Sequence, residues 1–228
     1  VVIVPTYNRG YLLDRTLTSV MHQTYENWIC IVLDDGSTDN TPLRMREWQD
    51  RDPRFFYCRY EENRGGVAMN EIGCALACEM GDAWVRLGSD DYFEPHKLEL
   101  DIAAFNHGAH VVYGPYRDLH ETYIGEELRN GPMDARGMLL SRGFAGSWAN
   151  MAVSTYALTK LRERHGDFCD GASLNPGPSP GVERLRNMED WLMNLRLAYL
   201  FEFTWRGLVQ REGYDELVIN ARDLSELG

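Results

Sequence analysis

The chain has 228 residues and a formal net charge of −12 at pH 7, which suits one large domain or two closely joined halves. So strong a negative charge argues against nucleic acid, or another polyanion, as a general partner. No apolar run approaches the ~20 residues that span a bilayer, and no signal-peptide pattern opens the chain. The five cysteines include no Cys-x-x-Cys pair, which is typical of reduced thiols in a cytoplasmic protein.

The first half of the chain alternates strand and helix patterns. Apolar runs predict five strands, at residues 1–5, 28–33, 55–60, 83–87 and 109–113. Between them, helical spacing joins Leu13, Leu17, Val20 and Met21, Thr41-Pro42 starts a second helix, and further helices are predicted at 67–80 and 95–106. Strands that alternate with helices form a mainly parallel sheet with right-handed crossovers. The predicted fold class is therefore α/β.

The second half is less regular. Residues 116–128 mix charged and apolar side chains in a pattern that fits a hairpin, and residues 154–165 are predicted to be helical. Glycine and proline fill the centre of residues 170–187, which excludes helix and inner strand and predicts a long loop that acts as a lid. A further helix is predicted from about Met188, with an apolar face formed by Leu192, Leu195, Tyr199 and Leu200.

Two pairs of adjacent aspartates follow predicted strands. Asp34-Asp35 follows the apolar run 28–33, and Asp90-Asp91 follows the run 83–87. Either pair alone could consist of helix-capping residues in an acidic protein. In open α/β sheets, however, ligands bind outside the carboxyl ends of the strands. Grouped carboxylates also repel one another unless a hard divalent cation binds between them. Together the two pairs therefore predict one pocket for a metal ion and phosphate groups.

A series of motifs then resembles the inverting family 2 glycosyltransferases. In chain order they are Val2 to Arg9 (Val-Ile-Val-Pro-Thr-Tyr-Asn-Arg), Ser19-Val20 with Gln23-Thr24-Tyr25, Asp34 to Thr41, Glu62-Asn63-Arg64-Gly65, Asn70 with Gly73, Ser89-Asp90-Asp91 and Glu189-Asp190. The likeness is dense over residues 1–100 and resumes near 188–200. It implies the GT-A fold, a Rossmann-like sheet flanked by helices, together with a nucleotide-sugar donor and a divalent metal, Mn²⁺ or Mg²⁺.

The resemblance assigns the donor nucleotide to the ends of the first two strands. Three residues would lie beside the base and ribose, with the last available for stacking: Pro5, Thr6 and Tyr7. Asp35 would accept a hydrogen bond from the ring N–H of a pyrimidine such as uracil or thymine; the alternative is a turn-forming aspartate. Arg64 would reach the base or the diphosphate, unless it is simply an exposed surface arginine. Arg9 is a weaker phosphate candidate.

The resemblance also assigns the metal ion. Asp90 would contact ribose or metal, and Asp91 would bind Mn²⁺ or Mg²⁺ directly. The ion would neutralise charge that builds up on the departing nucleoside diphosphate. Many relatives carry a further aspartate two residues before Asp90, where this chain has Gly88. That departure leaves open which oxygen each carboxylate serves.

A Glu-Asp pair opens a helix near the acceptor in this family, and Glu189-Asp190 matches it. Asp190 would be the general base that takes the proton of the acceptor hydroxyl, with Glu189 beside it as the reserve candidate. The alternative is an acidic pair that is favoured in the first turn of any helix by the helix dipole. Residues 1–110 would then bind the nucleotide sugar, and residues 111–228 would bind the acceptor.

The sequence thus predicts a metal-dependent inverting glycosyltransferase that moves a sugar from a UDP- or dTDP-sugar to a hydroxyl group of a glycan, polysaccharide or glycoconjugate. One alternative is a nucleotidyltransferase that makes sugar nucleotides, but in place of its Gly-rich, Arg/Lys-bearing loop this chain has Pro-Thr-Tyr-Asn-Arg. Another is a non-catalytic module that binds nucleotide sugars. Because Val1 is not a start methionine, we expect residues 1–228 to form a single domain of a longer protein, whose other parts could associate with a membrane.

Overall fold

A computed structural model describes residues 1–114 and 151–168, part of the segment 193–201, and the backbone of residues 203–211 and 214–219. Within the segment 193–201 the described residues are Met193, Arg196, Leu197, Tyr199, Leu200 and Phe201. The predicted hairpin at 116–128, the predicted lid at 170–187 and the pair Glu189-Asp190 lie outside the described residues.

The described residues form eight strands and five α-helices. The strands are β1 (Val2–Thr6), β2 (Cys30–Asp34), β3 (Phe55–Arg59), β4 (Ala83–Arg86), β5 (Val111–Tyr113), β6 (Met151–Ser154), β7 (Phe203–Arg211) and β8 (Tyr214–Ile219). The helices are α1 (Leu13–Met21), α2 (Thr41–Arg51), α3 (Gly66–Met80), α4 (Lys97–Asn106) and α5 (Thr155–His165). The strands and helices predicted for the first half are confirmed, with bounds that shift by one or two residues.

The strands form one sheet in the order β3-β2-β1-β4-β6-β5-β7-β8. In the first half, β1 is parallel to β2 and to β4, and β2 is parallel to β3. Farther along, β7 is parallel to β5, whereas β6 is antiparallel to both of its neighbours and β8 is antiparallel to β7. The predicted, mainly parallel sheet is therefore confirmed. Strands β1 to β4 end at one edge, where open α/β sheets bind their ligands.

Helices cover both faces of this sheet. Along β1, Ile3 packs on the side of α3 and α5, whereas Val2 and Val4 pack on the side of α1, α2 and α4, because successive side chains of a strand point to opposite faces. Helix α3 lies very close to β1: a Cβ atom at Gly73 would be 2.6 Å from Cγ2 of Ile3. Because α3 starts at the ligand-binding edge of the sheet, this close packing also fixes the position of its first turn.

The second half adds helices to the same core. Helix α5 has a side-chain cap, since Oγ of Ser154 accepts a hydrogen bond of 3.2 Å from the backbone N–H of Ala157. Met193 and Leu197 have helical backbone and are fully buried, whereas Tyr199 is 71% exposed. The predicted apolar face is thus wrong at Tyr199, because burial follows the four-residue spacing from Met193. None of the helices in the described ranges combines the length and the apolar character that a membrane span requires.

Candidate active site

Asp34, the last residue of β2, is a structural residue that holds the turn after the strand. Its side chain is fully buried, and its carboxylate accepts hydrogen bonds from the backbone N–H of Ser37 (2.8 Å) and from the Tyr57 hydroxyl. Burial, and next the hydrogen bond to Asp34, raise the pKa of Tyr57, which therefore stays a donor at neutral pH. Nε of Arg59 lies 3.7 Å from the same carboxylate. Asp34 therefore contacts protein groups rather than the pocket, and within this pair Asp35 alone was predicted to bind the ligand.

Asp35 connects the same turn to the start of α3. One carboxylate oxygen accepts from the backbone N–H of Arg64 at 2.7 Å, and the other accepts from that of Gly65 at 2.9 Å. The backbone N–H of Asp35 itself donates to the carbonyl of Thr6 at 2.9 Å. Although the residue is only 4% exposed, each carboxylate oxygen has a second lone pair. These two bonds therefore leave the carboxylate able to accept from one more donor.

The residues predicted to lie beside the base have three different environments at the end of β1. Pro5 is a half-buried strand residue that pairs with Leu33 of β2. Thr6 is buried, and its hydroxyl has no hydrogen-bond partner among the described residues. Tyr7 is 46% exposed. The strand end therefore offers an exposed aromatic ring at Tyr7, whereas the Thr6 hydroxyl is buried.

Asn8 and Arg9 reach from the end of β1 to the two acidic strand ends. Oδ1 of Asn8 accepts a hydrogen bond of 2.7 Å from the backbone N–H of Thr38, in the turn after β2. Nη1 of Arg9 lies 2.7 Å from the carboxylate of Asp90, after β4. The predicted site residues did not include Asn8. A signal was present in its residue type, since asparagine adopts positive φ more readily than most residues, and φ of Asn8 is 53°.

Helix α1 holds the backbone of the chain that follows β4. The Thr16 hydroxyl donates to the carbonyls of Ser89 (3.0 Å) and Asp91 (2.8 Å). A guanidinium N–H of Arg15 donates to the carbonyl of Asp90. These bonds fix the turn through its backbone and leave the Asp90 side chain about half exposed, at 49%.

The carboxylates of Asp90 and Asp91 converge on the space beside Gly88. A Cβ atom built at Gly88 would lie 2.6 Å from Oδ2 of Asp91 and 2.9 Å from Oδ1 of Asp90. Both distances are far below van der Waals contact, so any larger residue would displace the two oxygens. The two carboxylates therefore occupy the space that a side chain at position 88 would need.

Two converging carboxylate oxygens suit a hard divalent cation. Mg²⁺ is commonly held by one or two carboxylates together with substrate phosphates and water, and Mn²⁺ favours the same kinds of ligand. Within residues 1–114, 151–168 and the described part of 193–201, no group of three His, Cys, Asp or Glu side chains forms a metal cluster. The pair at Gly88 fits a site that phosphate oxygens and water could complete.

The remaining predicted residues are less closely tied to the pocket. Arg64 is exposed, and its guanidinium lies 4.9 Å from the centre of the Tyr60 ring. It contacts Asp35 through its backbone N–H. Asp190 and Glu189 lie outside the described residues, and their place beside the acceptor stays a prediction.

Known proteins that are similar in sequence or in fold identify the family of this chain. Residues 1–159 match the family model described as Glycosyl transferase family 2. The chain is 30% identical over 124 residues to UDP-Glc:alpha-D-GlcNAc-diphosphoundecaprenol beta-1,3-glucosyltransferase WfgD of Escherichia coli, a match that covers 54% of this chain and 47% of that protein. The chain therefore spans less than half the length of this curated relative.

Two solved structures share the fold. TarS of S. aureus, as its 1–349 fragment in complex with UDP, superposes with a TM-score of 0.66 at 19% identity and covers 90% of this chain and 59% of its own. The mannosyltransferase PcManGT from Pyrobaculum calidifontis, in complex with GDP-Man and Mn²⁺, gives 0.52 at 22% identity and covers 73% of this chain and 46% of its own. These likenesses confirm the GT-A fold. The family match extends over more than half of the chain, which belongs to Glycosyl transferase family 2.

Proposed function

We propose that this chain is the catalytic domain of a metal-dependent inverting glycosyltransferase whose donor is a UDP- or dTDP-sugar. The observation that carries the proposal is the convergence of the Asp90 and Asp91 carboxylates beside Gly88, at the sheet edge that also holds Asp35. Membership in Glycosyl transferase family 2 supports sugar transfer over the alternative of sugar-nucleotide synthesis.

Asp91 would hold the metal ion, Mn²⁺ or Mg²⁺, with Asp90 as a second ligand or as a contact to the ribose. When bound, the ion supplies positive charge that stabilises the departing diphosphate. The diphosphate of the donor would supply further oxygen ligands. The Mn²⁺ in the complex of PcManGT with GDP-Man supports a divalent cation as the cofactor.

Arg9 is placed to change partners when the donor binds. Its ion pair with Asp90 is roughly half exposed on both sides, at 43% and 49%, and exposed pairs contribute only about 0–1 kcal/mol. A diphosphate carries more negative charge than one carboxylate. It would therefore attract Arg9 away from Asp90, and so release the carboxylate for the metal or the ribose.

The base would lie against Tyr7, and its ring N–H would donate a hydrogen bond to the remaining lone pairs of the Asp35 carboxylate. The ring N–H of uracil or thymine complements a carboxylate acceptor, whereas adenine has a ring acceptor at the equivalent position, and two acceptors that face each other in a buried site are unfavourable. Complexes of TarS with UDP and with UDP-GlcNAc support a uracil nucleotide. The name of WfgD, which includes UDP-Glc, supports the same base.

The acceptor would be a hydroxyl group of a carbohydrate or glycoconjugate, bound by residues 111–228. As that oxygen attacks the anomeric carbon it must lose its proton, and Asp190 would take it as the general base. Because a single displacement reverses the configuration at the anomeric carbon, one base suffices. Glu189 would lie beside the base and bind the acceptor.

Calorimetric titration with UDP, dTDP, GDP and ADP, each with and without Mn²⁺, tests the donor assignment. We expect UDP or dTDP to bind most tightly, and Mn²⁺ to strengthen that binding. Tighter binding of ADP than of both UDP and dTDP would contradict the role of Asp35. Binding without transfer to any acceptor would leave a nucleotide-sugar-binding module as the function.

Replacement of Asp190 by Asn tests the general base. The variant keeps the size of the side chain but cannot accept the proton, so transfer should fall by about 10²–10⁴-fold, while UDP and Mn²⁺ affinities persist. Glu189→Gln is the matched control: because Glu189 would bind the acceptor rather than take its proton, the variant should keep most of kcat and raise only the KM for the acceptor. If Glu189→Gln is inactive and Asp190→Asn is active, the base is Glu189. If both variants transfer sugar normally, neither residue is the base.

A further inference from the structure

We propose that Asn8 is a positioning residue that holds the turn after β2, residues 35–39, in the shape that binds the nucleotide base. This inference rests on the proposed function, since it deepens the account of the same donor site. It concerns a residue that touches the turn rather than the ligand.

One atom of Asn8 ties down the far side of the turn. Its Oδ1 accepts hydrogen bonds from the backbone N–H of Thr38 (2.7 Å), from the Thr38 hydroxyl (3.3 Å) and from the backbone N–H of Asp39 (3.3 Å). In return the backbone N–H of Asn8 donates to Oγ of Ser37 at 2.9 Å. These bonds replace the strand pairing that ends at Thr6, and they continue the contact between β1 and β2 into the loops.

The left-handed backbone of Asn8 makes these bonds possible. Its φ of 53° is the one positive φ of a non-glycine residue among the described residues. Asparagine adopts this conformation at lower energetic cost than most residues. The bend lets the Asn8 side chain turn to the loop after β2, while the next residue, Arg9, reaches Asp90 after β4.

Gly10 shows how closely the two loops approach. A Cβ atom at Gly10 would lie 2.8 Å from the backbone nitrogen of Thr41, and the backbone N–H of Gly10 donates to Oδ2 of Asp39 at 3.0 Å. The side chains of Thr38 and Asp39 are exposed, so burial in the core does not hold this part of the turn. Hydrogen bonds hold it, and Asn8 accepts three of them.

Nucleotide binding would depend on the hydrogen bonds of Asn8 because Asp35 and residues 37–39 belong to one turn. A turn that fluctuates presents its base-binding shape for only part of the time, and the apparent affinity falls by that fraction. The loss acts equally on the bound donor and on the transition state, so it raises KM for the donor and leaves kcat unchanged.

Two substitutions distinguish the contribution of the Asn8 amide oxygen from that of its left-handed backbone conformation. Asn8→Gly keeps the freedom to adopt positive φ but removes the acceptor, whereas Asn8→Asp keeps both. We expect Asn8→Gly to weaken UDP binding about tenfold, the effect of losing one well-made hydrogen bond. Its kcat at saturating donor should stay within about twofold of the unmodified value. Asn8→Asp should restore most of the UDP affinity.

Hydrogen exchange of the backbone N–H groups of Thr38 and Asp39 gives a readout that does not require a donor. Exchange should become faster in Asn8→Gly and return toward the unmodified rate in Asn8→Asp. A lower Tm for Asn8→Gly with unchanged UDP affinity would overturn the proposal and leave a purely stabilising role. So would unchanged exchange at both positions. If the unmodified protein binds none of UDP, dTDP and GDP, the proposed donor class is wrong, and the exchange comparison alone decides whether Asn8 holds the turn.

Discussion

The two aspartate pairs stand at the same edge of the sheet, on the strands that flank β1, and yet their surroundings are opposite. After β2, Asp34 and Asp35 are almost completely buried, and their carboxylates accept hydrogen bonds from protein donors. After β4, the Asp90 side chain is half exposed and pairs with Arg9, and it converges with Asp91 beside Gly88. The same dipeptide therefore serves two different purposes.

The two pairs differ in the groups that compensate the charge of their carboxylates. A buried charge is tolerated only when it is paired or hydrogen-bonded, so the turn after β2 must be complete before any ligand arrives. The turn after β4 holds its backbone through Thr16 and leaves two neighbouring carboxylates facing one space, an arrangement that a cation stabilises. We propose that the turn after β2 is a base site that is formed in advance, whereas the metal site is completed by its ligands.

Replacement of Asp91 by Asn should produce the largest effect, a loss of activity without a comparable loss of stability. Loss of a metal carboxylate should lower turnover about a thousandfold or more and abolish the strengthening of UDP binding by Mn²⁺. The Tm should change little, because Asn keeps the size of the side chain and the backbone hydrogen bonds of residue 91 with Thr16 and Gly88. Asp82→Asn is the matched control, since Asp82 is an exposed residue just before the start of β4. A large loss of Tm in Asp91→Asn would show that this pair, too, is structural.

Replacement of Asp34 by Asn should reverse that pattern. Its amide group cannot accept from both Ser37 and the Tyr57 hydroxyl, so a buried donor is left unsatisfied at a cost of about 1–3 kcal/mol in the free energy of unfolding. Urea denaturation measures this loss. Tyr57→Phe is the matched variant, because it removes the same hydrogen bond from the donor's side. If Asp34→Asn keeps its stability but loses metal-dependent UDP binding, Asp34 is a ligand-binding residue. The contrast between the two aspartate pairs would then disappear.

The sequence was sufficient to predict the strands and helices of the first half, helix α5 and the edge at which β1 to β4 end, but not strands β6, β7 and β8. Apolar runs and helical spacing are local properties, and the placement of Asp35, Asp90 and Asp91 at strand ends follows from them directly. The distinction between Asp34 and Asp91 is not local, because the burial of Asp34 depends on Tyr57, which lies 23 residues away on another strand. No pattern near Asp34 contains that information.

Two further features of the site depend on backbone geometry rather than on residue type. Because φ of Asn8 is positive, residues 8 and 9 contact different loops. The identity of residue 8 as asparagine only lowers the energetic cost of that φ. Gly88 could be recognised in the sequence as a departure from the pattern of relatives. The consequence of this glycine, that two carboxylate oxygens lie within 3 Å of where a Cβ would be, is evident only from the three-dimensional structure.

Replacement of Gly88 by Ala should give a smaller effect, confined to the metal. The added methyl group would meet Oδ2 of Asp91 at 2.6 Å and Oδ1 of Asp90 at 2.9 Å, and the two side chains must move apart. We expect the affinity for Mn²⁺ in the presence of UDP to fall about tenfold, in the range seen when the geometry of metal ligands is disturbed. Gly66→Ala is the matched control, because no atom lies within 4 Å of a Cβ built there. Equal effects of both substitutions would argue against convergence at Gly88.

The smallest effect is expected for Asp39, at the exposed end of the turn after β2. Partial burial acts to raise the pKa of this carboxyl, but the Thr41 side chain and the backbone N–H groups of Thr41 and Gly10 outweigh it and hold the pKa below its ordinary value. A carboxyl whose pKa is lowered in the folded state stabilises the protein above its unfolded pKa, near 3.9, and this contribution is lost as the pH falls through the folded-state value. Because Asp39 is exposed, solvent screening keeps the contribution below about 1 kcal/mol.

Thermal unfolding of Asp39→Asn and of the unmodified protein between pH 7 and pH 2 measures this contribution. Asn keeps one oxygen acceptor but lacks the charge, so its Tm should be lower than that of the unmodified protein at pH 7. The difference should shrink below about pH 4, as Asp39 of the unmodified protein becomes protonated. Glu61→Gln, in the exposed loop after β3, is the control for loss of a negative charge alone. A Tm difference that stays constant across this pH range would mean that shape rather than charge holds the exposed end of the turn, and the contrast between the two acidic strand ends would then rest on Asp34 and Asp35 alone.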